Sequence, residues 1–187
     1  MKITFHEGDL LASKESTIAH GCNTVGAMAA GIAGQIAAKY PNVRSAYGEA
    51  CSTHNFYLGC AQPVQAFEGT RRVGDAPARL VYNLATQLIP GPDARVNAIT
   101  LAFANMAAHA LNNDIDRVAI PRIGCGIGGL KWDDDVLPAI RTGLRLGGYY
   151  LEIGVYDFVP TGQRPIRRAP VDKGYGMAQL NFGAVSL

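Results

Sequence analysis

The sequence lacks the features of a membrane or exported protein. No run of about 18 uninterrupted apolar residues occurs in the 187-residue chain, so no transmembrane helix is predicted. The first ten residues already carry His6, Glu7 and Asp9, which argues against a secretory signal peptide. We therefore expect a cytoplasmic protein with no membrane partner.

Charge, paired cysteines and metal-ligand spacings are also scarce. Charged residues make up 17% of the chain and the net charge is +2, so bulk electrostatics indicates no nucleic-acid partner. The four cysteines form no CxxC pair, which argues against a zinc site or a disulfide framework and favours reduced thiols. The four histidines show no ligand spacing with the acids, and Asp133–Asp135 are consecutive at a predicted helix start, where their side chains point apart. No metal and no cofactor is expected.

Short apolar segments alternate with segments of helical periodicity along the chain. Helices are predicted at residues 31–40, 43–51, 91–113 and 132–146, with Pro138 confined to a first turn. Strands are predicted up to Gly8, from residue 16 to His20, and at residues 55–67, 79–86, 116–121 and 149–158. Pro63 places the third of these strands at a sheet edge. The alternation predicts an α/β sheet covered on both faces, with ligands bound outside the carboxyl ends of its strands.

Two glycine-rich loops each follow a predicted strand. The first runs through "GCNTVGAMAAGIAGQ" and the second through "GCGIGG". Loops with few side chains present bare N–H groups, and such groups ahead of a helix attract anions. Neither loop has the spacing of a Walker A or dinucleotide motif, and either alone is compatible with a structural turn. Together they predict a phosphate or pyrophosphate site.

Five segments carry a family resemblance, in this order: "GDL", "IAHGCNTVGAMAAGIAGQIAAKYP", "VYNLATQ", "VAIPRIGCGIGGLKW" and "VYDF". They resemble a macrodomain, in the branch of ADP-ribose-1″-phosphate phosphatases, terminal ADP-ribose protein glycohydrolases and antitoxins that remove ADP-ribose from DNA. The resemblance spans residues 1–160. It implies a three-layer α/β/α sandwich with a mixed, mostly parallel sheet and a cleft in which the anion is the pyrophosphate of ADP-ribose.

The chain after Thr161 lies outside this resemblance. Residues 161–187 form a basic extension containing prolines and glycines. We interpret it as a segment that packs across the domain or stays mobile. A nucleic-acid patch is the alternative, although the basic run is short and lacks interleaved aromatic residues.

The resemblance also implies a set of ADP-ribose contacts. Asp9 would accept a hydrogen bond from the adenine amino group, Leu10 would offer its N–H to the base, and Tyr156 would pack against the adenosine. The remaining ligand-binding residues would line the pyrophosphate and distal ribose from the loops: Gly31, Ile32, Ala33, Thr86, Gln87, Ile123, Gly124, Cys125, Gly126, Ile127 and Gly128. Plainer roles stay open, since Asp9 is also a possible cap and Tyr156 a possible core residue.

The resemblance implies that His20 and Asn23 lie at the distal ribose, and catalysis is expected from these two residues. A histidine has an ordinary pKa near neutrality and suits general acid–base work on a terminal phosphate. The alternatives are a histidine that only orders its loop and an asparagine that only forms a turn. Cys22 and Cys125 have no obvious base nearby in the sequence, so neither is expected to be a catalytic nucleophile. Their small size is enough to explain why cysteine occurs at these positions.

At two positions this chain differs from some members of the branch that it resembles. Its glycohydrolase and DNA-antitoxin members carry a lysine where this chain has Gln87, and the glycohydrolase carries an aspartate where it has Gly128. A glutamine cannot form an imine, so a lysine-dependent mechanism is not expected.

Several functions remain open from the sequence. The leading hypothesis is a hydrolase of an ADP-ribose derivative, above all ADP-ribose 1″-phosphate. The alternatives are a reader that binds ADP-ribose without turnover, a lysine-independent de-ADP-ribosylating hydrolase, and an RNA- or poly(A)-binding module that uses the basic extension. The expected partner is ADP-ribose or an ADP-ribosylated molecule, with nucleic acid only as an ADP-ribosylated substrate.

Overall fold

A computed structural model describes residues 2–69 and 74–158. The strands are β1 (Lys2–Glu7), β2 (Thr17–Cys22), β3 (Ala61–Ala66), β4 (Arg79–Ala85), β5 (Arg117–Pro121) and β6 (Glu152–Asp157). The α-helices are α1 (Gly31–Lys39), α2 (Pro41–Ser52), α3 (Val96–Leu111) and α4 (Leu137–Leu146). A 3₁₀ turn at Leu10–Ala12 follows β1, and a wide π-helical turn at Trp132–Val136 leads into α4.

The six strands form one sheet in the order β1-β6-β5-β2-β4-β3. Each pair is parallel except β3 with β4. Pro63 lies on β3, whose described pairing is with β4 alone, so the prediction of an edge strand is confirmed. An edge tolerates proline because its missing N–H is not needed by a second neighbour.

Helices cover both faces of the sheet. One core joins α3 and α4 to the face that carries Ala19 and Tyr82. The other joins α1 and α2 to the face that carries Ile18 and Val81. Neighbouring residues of β2 and β4 point to opposite faces because side chains alternate along a strand. The predicted three-layer α/β/α sandwich with a mixed, mostly parallel sheet is confirmed.

Some predicted boundaries were wrong. β2 continues to Cys22 instead of ending at His20, which places His20 inside the sheet. β3 covers only six residues, since the preceding segment turns at Gly59 (φ +86°) to pack against Leu101. α3 begins at Val96, after a turn anchored by Asp93. Pro138 lies in the first turn of α4, as predicted.

No helix within residues 2–69 and 74–158 is long and apolar enough to cross a membrane. The basic extension at residues 161–187 lies outside the described residues, and its boundary with the domain stays a prediction.

Candidate functional site

The site lies where two neighbouring strands send the chain in opposite directions. β2 leads through α1 and α2 to the β3 edge, whereas β5 leads through α4 to β6. The pairing of β2 with β5 is limited to Ile18 opposite Ala119. Such a reversal leaves a crevice outside the carboxyl ends of the strands. Three loops border it, at residues 23–30 (first loop), 122–131 (second loop) and 86–95 (third loop).

The first loop delivers the uncapped N-terminus of α1 to this crevice. Ala30 provides no side-chain cap, and the first N–H bonded back into the loop is that of Gly34, which donates to the Ala30 carbonyl at 3.1 Å. The N–H groups of Gly31, Ile32 and Ala33 have no acceptor among the described residues. Free donors at the positive end of a helix macrodipole form an anion site.

The second loop supplies another set of free donors. The N–H groups of Gly124, Gly126, Ile127 and Gly128 find no acceptor in the described part of the chain. The N–H of Cys125 is used within the loop, where it donates to the Arg122 carbonyl at 3.2 Å. Gly124 has φ +76°, a conformation that favours glycine. The two loops therefore present unpartnered donors after neighbouring strands, and that they bind a pyrophosphate stays a prediction.

Gly128 is buried, and its missing side chain faces the third loop. A Cβ on Gly128 would lie 2.7 Å from the Ala94 Cβ and 2.8 Å from the Gly124 carbonyl oxygen. The Gly128 carbonyl also accepts from the Ala94 N–H at 3.2 Å. An aspartate, which the resemblance implies for the glycohydrolase at this position, would therefore have no space in this arrangement.

Gly128→Ala is expected to lower the free energy of unfolding by about 2 kcal/mol, because overpacking forces the second and third loops apart. Gly126→Ala is the matched control, since a Cβ there meets no heavy atom within 4 Å. We expect that control to stay within about 0.5 kcal/mol of wild type in urea unfolding. Equal effects of the two substitutions would show that the loops do not pack as described.

Thr86 and Gln87 join the third loop to the end of β2. Both donate their N–H to the Cys22 carbonyl, at 3.0 and 3.3 Å. Thr86 is buried, and its Oγ1 and the side chain of Ile123 are the atoms nearest to a Cβ built on Gly21. The Gln87 amide donates to the Ile89 carbonyl at 2.8 Å. Gln87 thus serves the loop's own conformation.

His20 is fully buried between the strands and the α1/α2 layer, with 0% exposure. Its Nε2 lies 2.7 Å from Asn83 Oδ1, and the Asn83 amide donates onward to Gln62 Oε1 at 2.9 Å. Because that amide nitrogen is committed to Gln62, Asn83 Oδ1 is the acceptor and Nε2 of His20 carries the proton. Burial lowers the pKa of His20 from 6.5 to about 4, so the ring is neutral at pH 7. This geometry favours the loop-ordering interpretation over general acid–base catalysis.

Asn23 is also buried, at 6% exposure, and its amide organises the first loop. Its Oδ1 accepts from the N–H groups of Val25 and Ala27, both at 3.1 Å, and from the Tyr47 hydroxyl at 2.9 Å. Its Nδ2 donates to the Ala27 carbonyl at 2.6 Å. The i to i+2 bond is an Asx turn, so the geometry supports the turn interpretation.

The predicted adenine end combines the turn after β1 with the end of β6. Asp9 caps the 3₁₀ turn, with Oδ1 accepting from the Leu11 N–H at 2.8 Å, and the Leu10 N–H has no described acceptor. The Tyr156 hydroxyl donates to Glu15 at 2.9 Å, and its ring stacks on His6 with centroids 4.9 Å apart. Asp9 therefore fulfils its alternative role as a cap while Oδ2 keeps no described partner.

The two cysteines of the site are protonated thiols. Burial raises the pKa of Cys22, and it raises that of Cys125 to about 11 despite the nearby Arg122. A thiol of raised pKa is a poor nucleophile at neutral pH. All four cysteines are free. Within the described ranges, no three His, Cys, Asp or Glu side chains are grouped to hold a metal.

Sequence reasoning missed three residues that shape the site: Asn83, Tyr47 and Asp93. Asp93 accepts from the N–H groups of Leu88 and Ile89 and holds the third loop closed. Asn83 could have been found as the polar residue in the otherwise apolar segment "LVYNLA". Tyr47 carries no such signal, because a tyrosine on an apolar helix face is ordinarily a core residue.

Comparisons with known proteins agree with the observed fold. The family model described as Macro domain matches residues 19–143. A DNA ADP-ribosyl glycohydrolase of Mycobacterium tuberculosis is 28% identical over 134 residues, which are 71% of this chain and 36% of that protein. An ADP-ribose 1″-phosphate phosphatase of Lodderomyces elongisporus is 25% identical over 145 residues, covering 72% of this chain and 88% of that enzyme. The solved macrodomain of Mycobacterium tuberculosis DarG superposes with a TM-score of 0.68 at 26% identity, covering 82% of this chain and 96% of that one. The chain thus spans about a third of the mycobacterial glycohydrolase but most of the phosphatase.

Proposed function

The chain belongs to the Macro domain family, and we propose that it binds ADP-ribose and hydrolyses an ADP-ribose derivative at the distal ribose. The observation that carries the proposal is the pair of unpartnered N–H sets, one at residues 31–33 and the other at Gly124, Gly126, Ile127 and Gly128. Backbone donors suit a pyrophosphate because hydrogen bonds to charged oxygens are stronger than those between neutral groups.

The adenosine would lie at the other end of the crevice. The free Oδ2 of Asp9 and the free N–H of Leu10 offer one acceptor and one donor to an adenine edge. Tyr156 and Ile32 both pack against the α1/α2 core and would flank the nucleoside. Nucleic acid would enter as an ADP-ribosylated substrate only, and we propose a cytoplasmic location.

The chemistry would be independent of lysine. His20 and Asn23 are buried, and the Gln87 amide is committed to its own loop, so none of the three is placed to exchange a proton with substrate. We therefore assign His20 and Asn23 as positioning residues. The attacking water would be held by the substrate's own phosphate oxygens and the loop N–H groups.

The first substrate to consider is ADP-ribose 1″-phosphate. Hydrolysis would break its phosphate ester and release ADP-ribose and inorganic phosphate. One observation supports this choice: the match covers 88% of a protein named a phosphatase. The resemblance adds that Gln87 and Gly128 stand where the glycohydrolase would carry lysine and aspartate.

A second candidate is the release of ADP-ribose from an uncharged group on a larger molecule. Four apolar side chains of the three loops are 43% to 61% exposed: Val25, Leu88, Ile89 and Ile127. Every lysine and arginine in these loops already has an acidic partner, in the pairs Arg95–Asp93, Arg122–Asp157 and Lys131–Asp134. An apolar rim without a free cation favours an uncharged leaving group over a phosphate.

One set of assays separates these functions. We expect calorimetry to show ADP-ribose binding, and phosphate release from ADP-ribose 1″-phosphate to exceed ADP-ribose release from an ADP-ribosylated DNA oligonucleotide. The reverse order of rates would favour the second candidate. Binding without either turnover would make the protein a reader, and absence of ADP-ribose binding would overturn the proposal.

A further inference from the structure

We propose that Tyr47, a buried tyrosine of α2, is the positioning residue that sets the first loop for ADP-ribose. This inference rests on the proposed function, because it concerns the same anion site. Tyr47 lies outside the predicted ligand contacts and is fully buried. It would act on the ligand only through Asn23.

The Tyr47 hydroxyl is shared between two acceptors of one residue. It lies 2.8 Å from the Asn23 carbonyl oxygen and 2.9 Å from Asn23 Oδ1. Burial raises the pKa of Tyr47, so the phenol keeps the proton that it donates. Its ring is held edge-on against Phe56, with centroids 5.3 Å apart. One rigid side chain therefore fixes both the backbone and the amide of Asn23.

Asn23 passes this constraint along the first loop. The oxygen that Tyr47 contacts is the same Oδ1 that accepts from the N–H groups of Val25 and Ala27. These bonds shape the turn that leads the chain to the free N–H groups of α1 at Gly31. Without the Tyr47 hydroxyl, the backbone carbonyl oxygen and Oδ1 of Asn23 both lose this buried hydrogen-bond donor. The turn at Asn23 then loses its fixed orientation.

The position of Tyr47 is itself fixed by the sheet. Gln62 on β3 donates to the carbonyl of Ala46, the residue before Tyr47, at 3.0 Å. Gln62 accepts from Asn83 on β4, and Asn83 is bonded to His20 on β2. The hydrogen bonds thus connect β2 through β4 and β3 to α2. From α2, the Tyr47 hydroxyl bonds to Asn23, three residues after His20. This closed path gives the buried His20 a role without any contact to substrate.

Tyr82 provides a matched comparison within the same chain. It is also fully buried, and its hydroxyl lies 2.7 Å from Nδ1 of His109. That bond joins β4 to α3 on the opposite face of the sheet and does not touch the first loop. Tyr47→Phe and Tyr82→Phe therefore remove the same group from similarly buried rings, but Tyr47→Phe alone affects the loop.

The test measures ADP-ribose affinity by calorimetry and melting temperature for wild type, Tyr47→Phe and Tyr82→Phe. We expect both variants to lose similar thermal stability. Tyr47→Phe should bind ADP-ribose about tenfold more weakly, the effect of about 1.4 kcal/mol, while Tyr82→Phe stays within about twofold. The ¹⁵N amide signals of Val25 and Ala27 should shift in Tyr47→Phe but not in Tyr82→Phe, a local signature that a general loss of stability would not produce.

Each outcome decides one claim. If the wild type binds ADP-ribose and Tyr47→Phe binds it with the same affinity, only the positioning role of Tyr47 is overturned. Absence of binding by wild type overturns the proposed function, and the inference with it. If Tyr47→Phe does not fold, Gln62→Met removes the bond to the Ala46 carbonyl instead, and weakening by about threefold is then expected. Unchanged affinity in Gln62→Met would overturn the inference.

Discussion

Gly126→Glu is expected to bind ADP-ribose about 100-fold more weakly than Gly126→Gln. The two variants place side chains of the same shape at the same point of the second loop, so their difference isolates the charge. A carboxylate about 5 Å from a phosphate is repelled by about 3 kcal/mol at an effective dielectric constant of 20. That energy corresponds to about two decades in affinity.

The substitution tests binding with little risk to the fold. Gly126 is exposed, a Cβ there meets no heavy atom within 4 Å, and its φ lies outside the left-handed region. Calorimetry at low salt measures the effect, which should shrink as added salt screens the repulsion. Equal affinities for the two variants would place the anion away from the second loop.

The wild-type protein is expected to lose about 3 kcal/mol of unfolding free energy between pH 7 and pH 4 that a His20→Gln variant does not lose. Burial lowers the pKa of His20 from 6.5 to about 4, so between these values the unfolded chain binds a proton that the folded one excludes. The stabilisation is therefore complete above about pH 6.5 and falls as the pH drops towards 4.

Glutamine at position 20 is the matched control because it keeps a polar group for Asn83 but has no titrating ring. Other acid-sensitive groups, such as Glu15 with its pKa lowered by Arg117, contribute equally to both proteins and cancel. Urea unfolding at pH 7, 5.5 and 4 gives the difference directly. A gap between the two proteins that does not change with pH would mean that His20 is open to solvent, and its catalytic role would then return.

The sequence was informative about the backbone of the candidate site. The glycines and alanines of residues 26–34 and 124–129 predicted unpartnered N–H groups, and the order of strands and helices predicted that both loops follow strands of one sheet. Such features depend on local chemistry and on general rules for parallel sheets. They could be inferred without knowing which side chains touch.

Side-chain roles were less accessible because they depend on distant partners. His20 was expected at the end of a strand, but β2 lies between β5 and β4, and its partner Asn83 is 63 residues away. Asn23 is a residue type that often contacts ligands, but the Tyr47 hydroxyl of α2 donates to its Oδ1 and holds the amide inside the protein. The lack of space at Gly128 arises from Ala94 on another loop. Asn83 stands out locally as a polar residue in an apolar segment, but no local pattern identifies the partner in any of these contacts.

In the proposed function, the backbone donors of the two loops bind the pyrophosphate of ADP-ribose. An NMR titration of ¹⁵N-labelled protein with ADP-ribose, and separately with adenosine, tests it most directly. We predict that ADP-ribose shifts the amide signals of Gly31, Ile32, Ala33, Gly124, Gly126 and Ile127, while adenosine shifts only those near Asp9 and Tyr156. Unchanged signals in both loops at saturating ADP-ribose, or the same loop shifts with adenosine, would contradict the account.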